Sequence, residues 1–404
     1  MNRLVLIGNG FDLAHSLKTS YQDFIFWYLD ECFNEAGIYA NGRFYEDDFV
    51  RVELREHDLL MDLARQAGKM GISRYLFTQR LLNKYLNFNT HGHIYGGQIK
   101  PTYIEVSKIL AHDIDFKSLF FKKLIDSCLG CGWVDIEQEY FNALKKFNDK
   151  DNSHDLDYVD TLNKNFTFLK QKLEKYLSIQ DDQFDNRLNF QLAKLLGQEF
   201  QENEFDPGID DDELRIKLGK DFTVGNENVT QHKIHVLNFN YTNTFYSYIR
   251  EIKGNYFSSV DMNYIHGQLN NSSNPIIFGF GDEHDNEYKQ FEEQNNNSLF
   301  EHVKSYHYLK TPNYRNLIRF LNEDYYQVFV VGHSCGLSDR TMFKEIFDHD
   351  NCKSVKILHH RRDNATTDFF DKTINLGRHF TSKGRMRRLI VNFNEGDAIP
   401  QFDK

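Results

Sequence analysis

Two residues whose chemistry suits bond cleavage stand just behind apolar runs: Asn240 in Asn238-Phe239-Asn240-Tyr241-Thr242, and His266 in Tyr264-Ile265-His266-Gly267. A histidine titrates near neutral pH and can take a proton as general base. A short amide can orient hydroxyls or an attacking water. A third candidate opens the chain, where Leu4-Val5-Leu6-Ile7 breaks into Gly8-Asn9-Gly10-Phe11-Asp12. An apolar run that ends in a Gly-x-Gly turn and enters a helix presents backbone N–H groups to phosphates. The third glycine of a dehydrogenase fingerprint is missing, and no Gly-Lys-Ser/Thr follows, which argues against a P-loop. Later, Gly332-His333-Ser334-Cys335-Gly336, with Asp339 close behind, follows another apolar run, and Gly279-Phe280-Gly281-Asp282-Glu283 follows a third.

These groups need elements to bring them together. Strands are expected at Leu4–Ile7, Ile234–Phe239, Met262–Ile265, Pro275–Phe280, Gln327–Val331 and Ser354–Leu358, with helices at Asn313–Asn322 and Thr341–Phe347 between later ones. Strands alternating with helices imply a parallel α/β sheet, whose ligands bind outside the carboxyl ends of its strands. Every candidate above falls at such an end. Leu389–Phe393 is expected as an edge strand or a C-terminal staple. Between them, from Phe44 to about Gly197, one helical pattern follows another. The clearest places Val159, Leu162, Phe166, Leu169, Leu173 and Tyr176 on one stripe. Thr19-Ser20 is expected to cap the helix that carries Phe24 to Phe33. The expected fold is therefore a Rossmann-like parallel sheet built from residues 1–40 and 230–404, with a large α-helical unit, 41–229, inserted. The acidic loop Gln201–Glu213 reads as a solvated linker. In Trp133-Val134-Asp135-Ile136-Glu137, Asp135 suits a helix cap, and Glu137 is the better candidate to line the cleft.

Composition narrows the function classes. The 404 residues carry a net charge of −11, so no global basic field favours nucleic acid or an anionic membrane. No stretch approaches ~20 consecutive apolar residues, and the chain enters a strand without a signal peptide, so a cytoplasmic protein is expected. The five cysteines are sparse and odd in number, which fits a reducing compartment. Cys128-x-x-Cys131 lacks a second pair, and His91-x-His93 and His359-His360 lack carboxylates at metal spacing, so no metal is expected.

The opening Leu4–Phe24, the Trp133–Glu137 segment, the Asn240-Tyr241-Thr242 turn, His266-Gly267 and Gly332–Asp339 resemble the bacteriophage abortive-infection AbiH family. That family is in turn distantly similar to sirtuin-like NAD-hydrolysing domains. Their pattern is a Gly-Ala-Gly-x-Ser turn with Gly-Ile-Pro, a Thr-Thr-Asn-Tyr-Asp strand end, a His-Gly, and a late Gly-x-Ser with a downstream Asp. On this resemblance Asn240 and His266 are catalytic, while Gly8, Asn9, Gly10, Phe11, Asp12, Tyr241, Gly332, His333, Ser334 and Asp339 hold NAD. The glycine turn takes the pyrophosphate and Gly332–Ser334 the adenosine side, with Asp135 and Glu137 as further cleft contacts. Asp12 stands where the pattern has serine, Thr242 where it has aspartate, and Ser16-Leu17-Lys18 replaces Gly-Ile-Pro. The implied activity is that of a phage-defence effector that hydrolyses NAD at the nicotinamide glycosidic bond, restrained by homo-oligomerisation or a regulatory protein partner. A non-hydrolytic sensor of NAD or ADP-ribose is the alternative. A metal-dependent nuclease using Asp282, Glu283 and Asp339 is a further one.

Overall fold

The computed structural model describes residues 1–33, 35–36, 44–53, 114–131, 135–148, 156–219, 232–254, 256–362 and 366–402. The chain divides into two compact units, one of Met1–Thr19 with Leu177–Lys404, the other Ser20–Tyr176. In chain order the strands are β1 (Asn2–Ile7), β2 (Phe44–Glu46), β3 (Val50–Glu53), β4 (Ile114–Phe116), β5 (His232–Asn238), β6 (Phe257–Tyr264), β7 (Tyr326–Val331) and β8 (Cys352–Leu358).

The first unit is built on a five-stranded sheet of order β6-β5-β1-β7-β8. All of its pairings are parallel, Asn2 lying beside Lys233 on one side and beside Tyr326 on the other. All six residues of β1 are buried, as a central strand covered on both faces requires. Leu4 and Leu6 enter one core with Val328 and Val330, whereas Val5 and Ile7 enter the opposite core with Val236. Numbered along the chain, the five strands run 3-2-1-4-5. Winding reverses between β1 and β7, and the crevice of such a sheet opens outside the carboxyl ends of those two strands.

One expected strand is absent from this sheet. Residues 276–280 are buried but form no strand: the Ile277 N–H donates to the His266 carbonyl at 2.6 Å and the Phe280 N–H to the His302 carbonyl at 3.0 Å. Pro275 has no N–H to give a ladder, and the segment straps the sheet edge instead of extending it. At the other end Leu389 closes a helix from Lys383, and Ile390 meets Val355 in a single bridge, a staple and not a strand.

The boundaries fall at 19/20 and 176/177, where the sequence pattern placed them at 40/41 and 229/230. Leu192, Leu196, Phe200, Phe205, Leu214 and Leu218 pack with Val5 and Ile7, covering one face of the sheet. Helices that cover a sheet and helices of a separate unit have the same apolar period, which hides the boundary. Within the acidic stretch Asp210 caps the helix Asp211–Lys217, accepting from the Asp212 and Glu213 N–H groups at 3.1 Å each, so this is a helix start as well as a solvated loop.

The second unit is not purely helical. A three-stranded antiparallel sheet, β2-β3-β4, joins Tyr45 to Val52 and Val52 to Ile114. Strands of three and four residues are too short to show a period, which is why the sequence pattern missed them. Among the described residues the expected helices at Tyr21–Phe33 and Leu156–Asp182 are present. Ser20 accepts from the Asp23 N–H at 3.1 Å and donates to its carboxylate at 2.6 Å, opening the helix Tyr21–Phe33. The predicted stripe is buried along the helix Leu156–Asp182. Among the described residues no helix is long and apolar enough to cross a membrane.

Candidate functional site

The glycine turn locks onto the exit of β7. The Gly8 N–H donates to the Val331 carbonyl at 3.0 Å, the Gly10 N–H to the Gly332 carbonyl at 2.7 Å and the Phe11 N–H to the Gly8 carbonyl at 2.8 Å. A Cβ at Gly8 would stand 2.5 Å from His333 Cα, and one at Gly10 2.8 Å from Gly332 Cα. Gly332 has φ +69, and a Cβ there would meet the Phe11 nitrogen at 2.2 Å. The glycines are thus required by the approach of two backbones. The N–H groups of Gly8, Gly10 and Phe11 are engaged within the chain. Asn9, the exposed residue of the turn, accepts from Thr19 Oγ1 at 2.5 Å.

The loop after β5 reaches the same turn. Asn240 N–H donates to Asn238 Oδ1 at 3.0 Å, and its side-chain Nδ2 donates to the Gly8 carbonyl at 3.1 Å, which ties residues 232 positions apart. Thr242 Oγ1 donates to Asp12 Oδ2 at 2.7 Å and lies 3.2 Å from Thr244 Oγ1. Asp12 is 1% exposed, and its second oxygen, Oδ1, is buried with no hydrogen-bond partner. Burial raises the Asp12 pKa to about 6 against the lowering pull of Thr242, Thr244 and Asn240. Asn240 and Thr244 act on the carboxyl from close by, yet neither closes a bond on Oδ1. A carboxyl in this state can gain or lose a proton near neutral pH.

His266 sits at the end of β6 with Phe239 and Tyr241, the neighbours of Asn240, packed around its ring at centroid distances of 5.0 and 6.5 Å. Its Nε2 lies 3.0 Å from Asp339 Oδ1 and 3.1 Å from the Tyr308 hydroxyl. Lys304 Nζ holds the same Asp339 oxygen at 2.8 Å. Burial and then the Lys304 charge push His266 below the usual imidazole range, against the upward pull of Asp339 and the Phe239 carbonyl. Burial alone would raise Asp339, yet Lys304 and His266 hold it well below the usual carboxylate range. The lowered pKa favours the neutral imidazole, and with an ionised carboxylate beside Nε2 that nitrogen is the one suited to carry its proton.

His333 contributes differently from the expectation that it lines a ligand. Its Nδ1 accepts from the Cys335 N–H at 2.9 Å, and its ring packs on Phe239 at 4.4 Å. Burial drops its pKa to about 3, so it is neutral. Ser334 is exposed beside it, its carbonyl taking Asn375 Nδ2 at 2.9 Å. The structure thus assembles Gly8, Gly10, Asp12, Asn240, Tyr241, His266, Gly332, His333 and Asp339 at one end of one sheet. Asp135 and Glu137 lie in the other unit. There Asp135 is the expected cap, accepting from the Gln138 N–H at 3.0 Å, and Glu137 is buried in the first turn. Trp133, His91 and His93 lie outside the described residues. Lys304 and Tyr308 are not legible in the sequence, because a lone lysine and a lone tyrosine between loops carry no local signal of what they face.

No curated protein and no solved structure matches the chain. The family model of bacteriophage abortive infection AbiH matches residues 4–360, which take in the glycine turn, Asn240, His266, Lys304 and Asp339, and the chain belongs to that family of phage abortive-infection proteins.

Proposed function

We propose that the protein is an abortive-infection effector that binds NAD at the carboxyl ends of β1, β5, β6 and β7 and hydrolyses its nicotinamide glycosidic bond. The observation that carries this reading is the bond between His266 Nε2 and Asp339 Oδ1, 3.0 Å, in a cluster whose rings flank Asn240. In the reaction the C1′–N bond of the nicotinamide ribose breaks, and its electron pair leaves with the nicotinamide, which departs neutral. Water forms the new C1′–O bond and passes its proton to the His266 imidazole, giving ADP-ribose. Asp339 holds the imidazole in the productive tautomer and stabilises the imidazolium, the role an aspartate plays beside a catalytic histidine. Asn240 orients a ribose hydroxyl or the water. Asp12 Oδ1, buried without a partner, is an acceptor that a ribose hydroxyl satisfies. The two departures from the sirtuin-like pattern, Asp12 for serine and Thr242 for aspartate, are bonded to each other at 2.7 Å, which keeps one carboxyl and one hydroxyl at these two positions.

Asn240, His266 and Asp339 are 8%, 5% and 6% exposed, so a ribose reaches them only after the cleft opens. An enzyme that would deplete NAD in an uninfected cell needs such a closed state, and infection would relieve it. The nuclease alternative is weaker, since Asp282 is paired with Arg340 at 3.3 Å and Asp339 with Lys304.

The test is nicotinamide release by the purified full-length protein given NAD with and without lysate of phage-infected cells. Asn240→Ala and His266→Ala should each lower the rate by about 100-fold or more. Wild type that releases no nicotinamide under either condition, with both variants protecting cells from phage as well as wild type does, would sink the reading. ADP-ribose binding retained by His266→Ala, without turnover in wild type, would turn it into the sensor module.

A further inference from the structure

We propose that Lys304 is a positioning residue for the His266–Asp339 pair: by occupying Asp339 Oδ1 it compensates that carboxylate, and the imidazole bound to the same oxygen stays neutral and able to take a proton. The inference rests on the reading of His266 as the base. Lys304 Nζ and His266 Nε2 reach one oxygen, at 2.8 and 3.0 Å, and Lys304 is 0% exposed. One carboxylate away from water can compensate one cation, and a second proton on His266 would leave a net positive charge buried. The lysine comes from the short helix Lys304–His307, following Val303, which bridges Phe280. The strap that failed to become a strand therefore places it, the Lys304 N–H donating to the Phe280 carbonyl at 2.9 Å.

The groups facing His266 come from every element around it. Asp339 comes from the turn Leu337–Asp339, Lys304 from its helix, the Tyr308 hydroxyl from the turn after that helix, neutral His333 from the end of β7, and Tyr241 and the Phe239 carbonyl from the loop after β5. Among the described residues facing the ring, Lys304 alone adds a positive charge, and its pull is opposed by Asp339.

The experiment follows the His266 ring by NMR in the full-length protein labelled at histidine, its signal assigned by its loss in His266→Ala. Lys304→Met should raise the His266 pKa by about 1–3 units, because the Asp339 charge is then left for the imidazole alone. Lys304→Gln, which keeps a hydrogen-bond donor without the charge, should show the same shift and serves if the methionine variant does not fold. Lys304→Arg should retain the wild-type titration, and Lys304→Met with Asp339→Asn should return it to the low range. An unmoved titration in folded Lys304→Gln or Lys304→Met overturns the proposal, as does a double variant that keeps the raised value. If wild type releases nicotinamide, the acid limb of its pH profile should move upward by the same amount in Lys304→Gln. If it releases none, the proposed reaction fails while the titration still decides the role of Lys304.

Discussion

Replacing Gly332 by alanine tests whether the glycine turn is first a structural joint. The new Cβ would lie 2.2 Å from the Phe11 nitrogen and 2.6 Å from the Gly10 carbonyl carbon, both backbone atoms that no side-chain rotation can move aside. Alanine at φ +69 adds about 1–2 kcal/mol of left-handed strain. Pushing the turn away loosens the 2.7 Å bond from Gly10 to the Gly332 carbonyl, a loss of about 1 kcal/mol. Overpacking between two strand ends adds about 1–3 kcal/mol. The sum is on the order of 4 kcal/mol, a fall of about 1 M or more in the urea midpoint at a slope near 3 kcal/mol per M. Tryptophan fluorescence would miss it, since Trp27 and Trp133 both belong to the 20–176 unit. Hydrogen exchange of peptides covering 2–12 and 326–336, in increasing urea, reads the joint itself. Gly254→Ala is the control, because a Cβ there meets nothing within 4 Å. A Gly332→Ala protein whose exchange in both peptides matches that of Gly254→Ala refutes the interlock and returns these glycines to ligand contact alone. The same geometry means that Gly10→Val, the obvious probe of phosphate binding, would damage the joint before it reported on any ligand.

Two further predictions concern carboxylates. Asp12 has a folded pKa of about 6, above its ordinary 3.8, so its contribution is complete below 3.8 and is lost as pH rises through about 6. Asp12→Asn should therefore gain on wild type by about 2 kcal/mol between pH 4 and pH 7, measured by urea unfolding at both pH values, and a difference that stays constant would contradict the buried-carboxyl account. Asp135→Ala should cost the second unit about 1 kcal/mol through its lost cap, followed in urea by tryptophan fluorescence, since Trp27 and Trp133 both belong to that unit, whereas Asp135→Ser should keep both stability and phage protection. Loss of protection in a stable Asp135→Ser protein would instead assign that carboxylate to the ligand.

The α/β class was legible because β1 and β7 carry apolar runs that end in glycine, the mark of strands buried on both faces, and because β5 and β8 carry shorter apolar stretches before polar ends. The site was legible to the same extent: Gly8, Asn240, His266 and Asp339 could be named because each follows such a run or the turn behind it, and parallel strands deliver their ends to one edge. The three short strands of the second unit were not legible, nor was the boundary at 176/177, since periodicity describes one element at a time and not which core an apolar face enters.

By itself, then, the sequence determined the strand ends and the chemistry available at them. Only the tertiary structure decided how those groups are employed. It made the glycines a joint between β1 and β7, joined Asp12 to Thr242 across 230 positions, and brought Lys304 against Asp339. The reason is physical. Hydrogen bonds and buried charge compensation depend on which atoms meet at about 3 Å, and residues hundreds of positions apart meet only when the sheet order sets them side by side.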